Sequence, residues 1–86
     1  MTMTLQEQFE NAKKRVQTLP ERPDNNTLLK LYGLNKQATL GDCTEPAPMA
    51  FNFVEVAKQN AWKGYAGKQK EEAMQEYIDL VESLFA

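Results

Sequence analysis

No histidine occurs in the 86 residues, and cysteine occurs once, at Cys43. A lone thiol cannot close an internal disulfide, and without imidazole the usual zinc and haem ligand sets cannot be assembled. Histidine is also the side chain most often used as a general base near neutral pH, so its absence removes the central member of hydrolase triads and of most acid–base schemes. Cys43 therefore has no base to activate it, and no enzymatic role or cofactor is expected. Long apolar runs are missing too: none approaches the roughly 18 residues of a membrane span. The stretch from Met1 to Glu7 has neither the basic nor the apolar segment of a secretion signal, so no integral membrane segment and a cytoplasmic location are expected. Ten Lys and Arg stand against 12 Asp and Glu, and no basic run exceeds Lys13-Lys14-Arg15, so the electrostatic footprint of nucleic-acid binding is absent. Glu71, Glu72, Glu76 and Asp79 are spread over exposed faces rather than gathered for a metal ion. Gly64 and Gly67 lack the rest of a phosphate-binding loop.

β-Branched aliphatics are scarce, with four Val and one Ile, whereas Leu, Ala, Glu, Gln, Lys and Met supply 46 residues. That usage belongs to helices, and no segment alternates like a strand. One thin-cored domain over 1–86 is expected at this length. Leu5, Phe9, Ala12, Val16 and Leu19 form one apolar stripe, opened by a Thr4–Glu7 capping box and ended by Pro20 and Pro23. A second helix, capped by Asp24 or Asn25, carries Leu28, Leu31 and Ala38 and runs to about Leu40, with Gly41 placed for a left-handed stop. Two prolines and no periodicity make 41–51 a long loop. Asn52 and Glu55 predict a capping box for a third helix with Phe53, Ala57, Ala61 and Trp62 on its stripe, ended by Gly64 and Gly67. The fourth opens near Gln69 and carries Ala73, Met74, Tyr77, Ile78, Val81, Leu84 and Phe85. Four amphipathic helices of this length bury their stripes most readily as an all-α bundle, the long loop letting the third helix start at the far end.

Few side chains could hold a ligand. Tyr32 and Lys36 share a helix face at i and i+4, where a phenol and an ammonium can hold a phosphate. Half-buried packing beside an ordinary solvated lysine fits the same spacing. Lys58 and Trp62 repeat the interval, either as a second cationic site or as a core Trp beneath a snorkelling Lys. Tyr77 lies within an apolar stripe, and its hydroxyl needs a partner.

The stretch from Leu31 to Asp42, Leu-Tyr-Gly-Leu-Asn-Lys-Gln-Ala-Thr-Leu-Gly-Asp, resembles the Tyr-Gly-x-Tyr-Lys-Gln-Ala-Thr-x-Gly-Asp signature of the acyl-CoA-binding proteins. The resemblance continues without gaps through Pro48, Phe53, Ala57-Lys58, Ala61-Trp62, Gly67, Glu71, Ala73-Met74 and Tyr77-Ile78, and back through Phe9, Ala12, Val16 and Leu19. It implies an up-down-down-up four-helix bundle with the long loop between the second and third helices. It implies coenzyme A as the head of the ligand, its 3′-phosphoadenosine held by Tyr32, Lys36 and Lys58 with Tyr77 completing the site. Phe9, Ala12, Leu28 and Leu29 would line or border the acyl path. The implied function is non-covalent binding and transport of medium- to long-chain acyl-CoA by a monomer that meets acyl-CoA-using enzymes transiently. The other reading is a helical protein-interaction module that has kept the fold with weakened ligand binding. Four positions depart from the family pattern: Asn35 stands where the signature has its second tyrosine, an aromatic surface for adenine, and Gln59, Gln17 and Lys13 replace an aromatic, a basic and a small residue.

Overall fold

The computed structural model describes residues 2–86 and consists of four helices: α1 (Leu5–Val16), α2 (Asn25–Leu40), α3 (Phe53–Lys63) and α4 (Lys70–Phe85). The chain runs up-down-down-up, with no strand among the described residues. The Thr4–Glu7 capping box forms in full: Glu7 N–H donates to Thr4 Oγ1 at 3.1 Å and Thr4 N–H to Glu7 Oε1 at 2.9 Å. Those bonds hold the Glu7 carboxyl below its ordinary pKa. Asp24 caps α2 through the Thr27 N–H at 2.7 Å.

One boundary and two caps differ from the sequence reading. α1 ends at Val16, a turn before the prolines. Thr18 takes the Arg15 carbonyl with both its hydroxyl, at 2.7 Å, and its N–H, at 2.9 Å, so a tight i→i+3 turn closes the helix first. Only half of the Asn52–Glu55 box forms: Asn52 Oδ1 accepts from Glu55 N–H, but the Glu55 carboxylate turns to Lys58. Gly41 has φ 80° and ψ −151°, a conformation outside the left-handed helical well that is still open to glycine alone.

The helices form a row. α1 packs on α4, α4 on α2 and α2 on α3, while α1 and α3 do not meet. The result is a slab of 46 × 29 × 15 Å whose faces are open. Phe9 and Ala12 of α1, Leu31, Leu34 and Ala38 of α2, and Ala73, Tyr77, Ile78 and Val81 of α4 make one buried cluster. Fully burying a side chain such as Phe9 or Val81 contributes about 1.5–3 kcal/mol, so this cluster holds three helices together. α3 stands outside it, and Phe53, placed on a buried stripe by its spacing, is 80% exposed. What docks α3 is therefore not a large apolar core.

A candidate ligand-binding groove between α2 and α3

A close backbone approach positions α3. A Cβ on Gly33 would lie 2.8 Å from the Ala61 carbonyl oxygen and 2.9 Å from the Tyr65 ring, so only glycine lets α2 and α3 come this near. Trp62, 2% exposed, donates its indole N–H to the Gly41 carbonyl at 2.8 Å. Buried Gln37 donates to Asp42 Oδ1 and to the Lys68 carbonyl, both at 2.8 Å, and the Gly67 N–H reaches the same Asp42 oxygen at 2.9 Å. These donors, Gly67 first, hold the Asp42 carboxyl below its usual range. The Gln37 and Asp42 of the signature thus clamp the end of α2 to the turn between α3 and α4. Gln59 binds the loop through the Glu45 and Pro46 carbonyls, at 3.3 and 2.9 Å. Its departure from the family pattern serves loop anchoring.

This docking crosses the pairs that sequence spacing kept within single helices. Lys58 Nζ of α3 lies 4.9 Å from the Tyr32 ring centre of α2, and Lys36 Nζ of α2 lies 5.5 Å from the Trp62 ring of α3 and 5.8 Å from Tyr32. Two ammonium groups therefore flank one phenol ring, within the range of cation–π attraction. Lys58 has Glu55 Oε1 at 3.4 Å, whereas no ion pair among the described residues involves Lys36. Like charges gathered with one carboxylate between them leave a net positive site, which favours a multivalent anion.

Beside this cluster opens a groove of 540 Å³ lined by Arg22, Asn25, Leu28, Leu29, Tyr32, Phe53, Val54, Ala57 and Lys58. Leu28, Leu29, Tyr32 and Lys58 are brought together here. Phe9, Ala12 and Tyr77 are not: they are 0%, 4% and 5% exposed in the core on the far side of α2, with Phe9 and Tyr77 edge to face at 5.1 Å. Burial there raises the Tyr77 hydroxyl pKa. In this conformation Phe9 and Ala12 back the site from the core rather than line the groove. Lys13 covers the Phe9 ring at 4.8 Å and pairs with Glu10 at 3.1 Å. Asn35 is half-buried, and its Oδ1 is enclosed without a hydrogen-bond partner. Arg22, Asn25, Phe53, Val54 and Ala57 also line the groove, and sequence alone does not single them out for that role. The signal for Val54 is its spacing of three and seven residues from Ala57 and Ala61, which puts it on the same helix face.

An apolar trough joined to paired cations and aromatic faces, on an open row of helices, defines a binding protein for an amphiphile with an anionic head. Residues 6–81 match the family described as "Acyl CoA binding protein". The chain belongs to that family. It is 49% identical to the "Acyl-CoA-binding protein" of Gossypium hirsutum over 83 residues, 96% of this chain and 93% of that one. The crystal structure of Oryza sativa Acyl-CoA-Binding Protein 2 superposes with a TM-score of 0.91 at 46% identity, covering 95% of this chain and 91% of that one. Identity of 49% extends to Enoyl-CoA delta isomerase 2 of Rattus norvegicus, over 92% of this chain but 20% of that protein.

Proposed function

We propose that this protein binds medium- to long-chain acyl-CoA thioesters without chemical change, as a monomeric cytoplasmic carrier that buffers them and passes them transiently to acyl-CoA-using enzymes. The observation that carries the reading is the joining of an apolar groove to the Lys36–Tyr32–Lys58 cluster, beside membership of the family. A phosphomonoester brings about 1.5 to 2 negative charges, and charge-assisted hydrogen bonds contribute about 1.5–3 kcal/mol each. Lys36, Lys58 and Tyr32 take the 3′-phosphate and the adenine, with Asn35 beside them and the buried Tyr77 backing the site from the core. The acyl chain lies along Leu28 and Leu29, where each buried methylene adds about 0.8 kcal/mol. Phe9 and Ala12 support that path from beneath. Neither contribution needs a nucleophile or a base.

Calorimetric titration with palmitoyl-CoA tests the binding, and release of free thiol over hours tests the inertness. One-to-one binding with an intact thioester is expected. Absence of heat at micromolar concentrations would leave the bundle as a protein-interaction module, and turnover that survives Cys43→Ser would make it an enzyme.

A further inference from the structure

We infer that the end of the 41–51 loop and the first turn of α3 form a tip that docks reversibly on an anionic lipid bilayer, with the mouth of the α2–α3 groove turned toward it. What this does for ligand exchange rests on the proposed binding of acyl-CoA. Met49, Phe51, Phe53 and Val54 are 66%, 73%, 80% and 67% exposed. Scattered apolar side chains on a surface need no explanation, but large ones gathered in one short segment mark an interaction site.

The tip is held in place from both sides. Asn52 N–H donates to the Met49 carbonyl at 2.9 Å, closing a turn with Ala50 and Phe51 at its corners. Asn52 then caps α3 by accepting from the Glu55 N–H at 3.4 Å, and Gln59 ties the loop down at the Glu45 and Pro46 carbonyls. This backbone order keeps the apolar side chains projecting and stops them from folding back onto the core. Phe53 and Val54 also line the groove, whereas Met49 and Phe51 lie outside its lining. Apolar surface therefore leads from the trough out to the tip.

Charge and polarity select the occupant. Among the residues that line the groove the charged ones are Arg22 and Lys58, both cations, although the chain as a whole carries −2. Glu55 pairs with Lys58 at 3.4 Å, and no ion pair among the described residues involves Arg22. An anionic surface is thus drawn to the mouth and repelled by the molecule's net charge elsewhere, which sets one orientation. From Met49 to Val54 the one polar side chain is Asn52, already spent on the cap, so the tip lacks the directional hydrogen bonds that specify a protein interface. Phenylalanines inserted at the headgroup boundary and cations beside them are two weak signals that together give reversible binding. An acyl chain leaving the leaflet then meets Phe53 and Val54 before it meets water.

Cosedimentation of the full chain with phosphatidylcholine vesicles, with and without phosphatidylserine, tests this. The wild type is expected to pellet with the phosphatidylserine vesicles and less with phosphatidylcholine alone, and high salt should shrink the difference. Joint Met49→Ser and Phe51→Ser replacement should weaken vesicle binding about tenfold, and Arg22→Gln about fivefold on the anionic vesicles only. Leu40→Ser removes an apolar side chain 55% exposed at the other end of α2 and should leave vesicle binding unchanged. Wild type that stays in the supernatant with anionic vesicles, or a Met49/Phe51 variant that pellets like the wild type, would overturn the inference. So would a dimer in sedimentation velocity that the same variant abolishes, because the patch would then belong to a second copy. Palmitoyl-CoA titrated without vesicles reports the carrier reading separately. The Met49/Phe51 variant should bind it like the wild type, since neither residue lines the groove. Absence of heat from the wild type would overturn that reading, and with it the exchange step, whatever the vesicles show.

Discussion

Lys36 and Lys58 approach the same phenol ring from different helices, yet their surroundings differ. Lys58 shares its charge with Glu55 at 3.4 Å, and Lys36 spans the Tyr32 and Trp62 rings with no ion pair among the described residues. Lys36→Ala and Lys58→Ala are each expected to lose about 1.5–3 kcal/mol of palmitoyl-CoA affinity with the helical circular dichroism unchanged. The loss should be larger for Lys36, whose charge is uncompensated. Titrating dephospho-CoA thioesters checks the cause, because without the 3′-phosphate both losses should shrink. Asn35 is the second informative residue. Its Oδ1 is enclosed and unpartnered, so replacing the amide gives up no hydrogen bond there. Asn35→Tyr is expected to tighten binding by about 1–3 kcal/mol if the ring stacks on adenine, equally for octanoyl- and palmitoyl-CoA. A gain confined to one chain length would place Asn35 on the acyl path instead.

At the scale of elements, the α2–α3 pair is the joint that lies outside the shared core and the one that carries the proposed groove. α1, α2 and α4 share the buried cluster, whereas α3 is held by backbone contact at Gly33, by the indole hydrogen bond of Trp62 and by Gln59 on the loop. Gly33→Ala separates the two effects of a methyl group. Helix propensity alone would favour alanine by about 1 kcal/mol. The contact at 2.8 Å with the Ala61 carbonyl cannot be relieved by a side-chain rotation, because the opposing atom is backbone. Net destabilisation of about 1–3 kcal/mol in urea unfolding is expected, together with weaker palmitoyl-CoA binding as Lys58 moves away from Tyr32. A more stable variant with unchanged affinity would mean that α3 adjusts freely.

For the molecule as a whole, the row arrangement leaves one side of α3 without apolar cover. Phe53 and Val54 are 80% and 67% exposed at the groove. A ligand that fills the trough supplies the missing cover and bridges α2 to α3, so it acts on folding stability as well as occupancy. At a free ligand concentration of a hundred times Kd, the native state gains about 2.7 kcal/mol. For a domain of this size that corresponds to roughly 10–20 °C in Tm. Scanning calorimetry with and without palmitoyl-CoA measures it, and an unmoved transition would contradict binding to the folded state.

The sequence by itself determined the helices, because caps, breakers and 3.6-residue periodicity are local. Thr4 with Glu7, Asp24 and Gly41 act within a few residues of where they stand. Most buried positions on α1, α2 and α4 followed from their stripes for the same reason, although Leu34 is buried outside the α2 stripe and Phe85, on the α4 stripe, is 39% exposed. The signature from Tyr32 to Asp42 made the family legible. The resemblance already grouped Tyr32, Lys36 and Lys58, but only the tertiary structure decided how residues of different helices meet. Sequence spacing paired Tyr32 with Lys36, and that pair stands at 5.8 Å, while the approach at Gly33 adds Lys58 to the Tyr32 ring and sets Lys36 over Trp62 of the neighbouring helix as well. It also sent Phe53 to the open groove and Phe9 to the closed core, although both sit on apolar helix positions. A stripe records that a face is apolar and is silent on whether protein or ligand covers it. That choice rests on how near two helix backbones can come, which depends on atoms far apart in the chain.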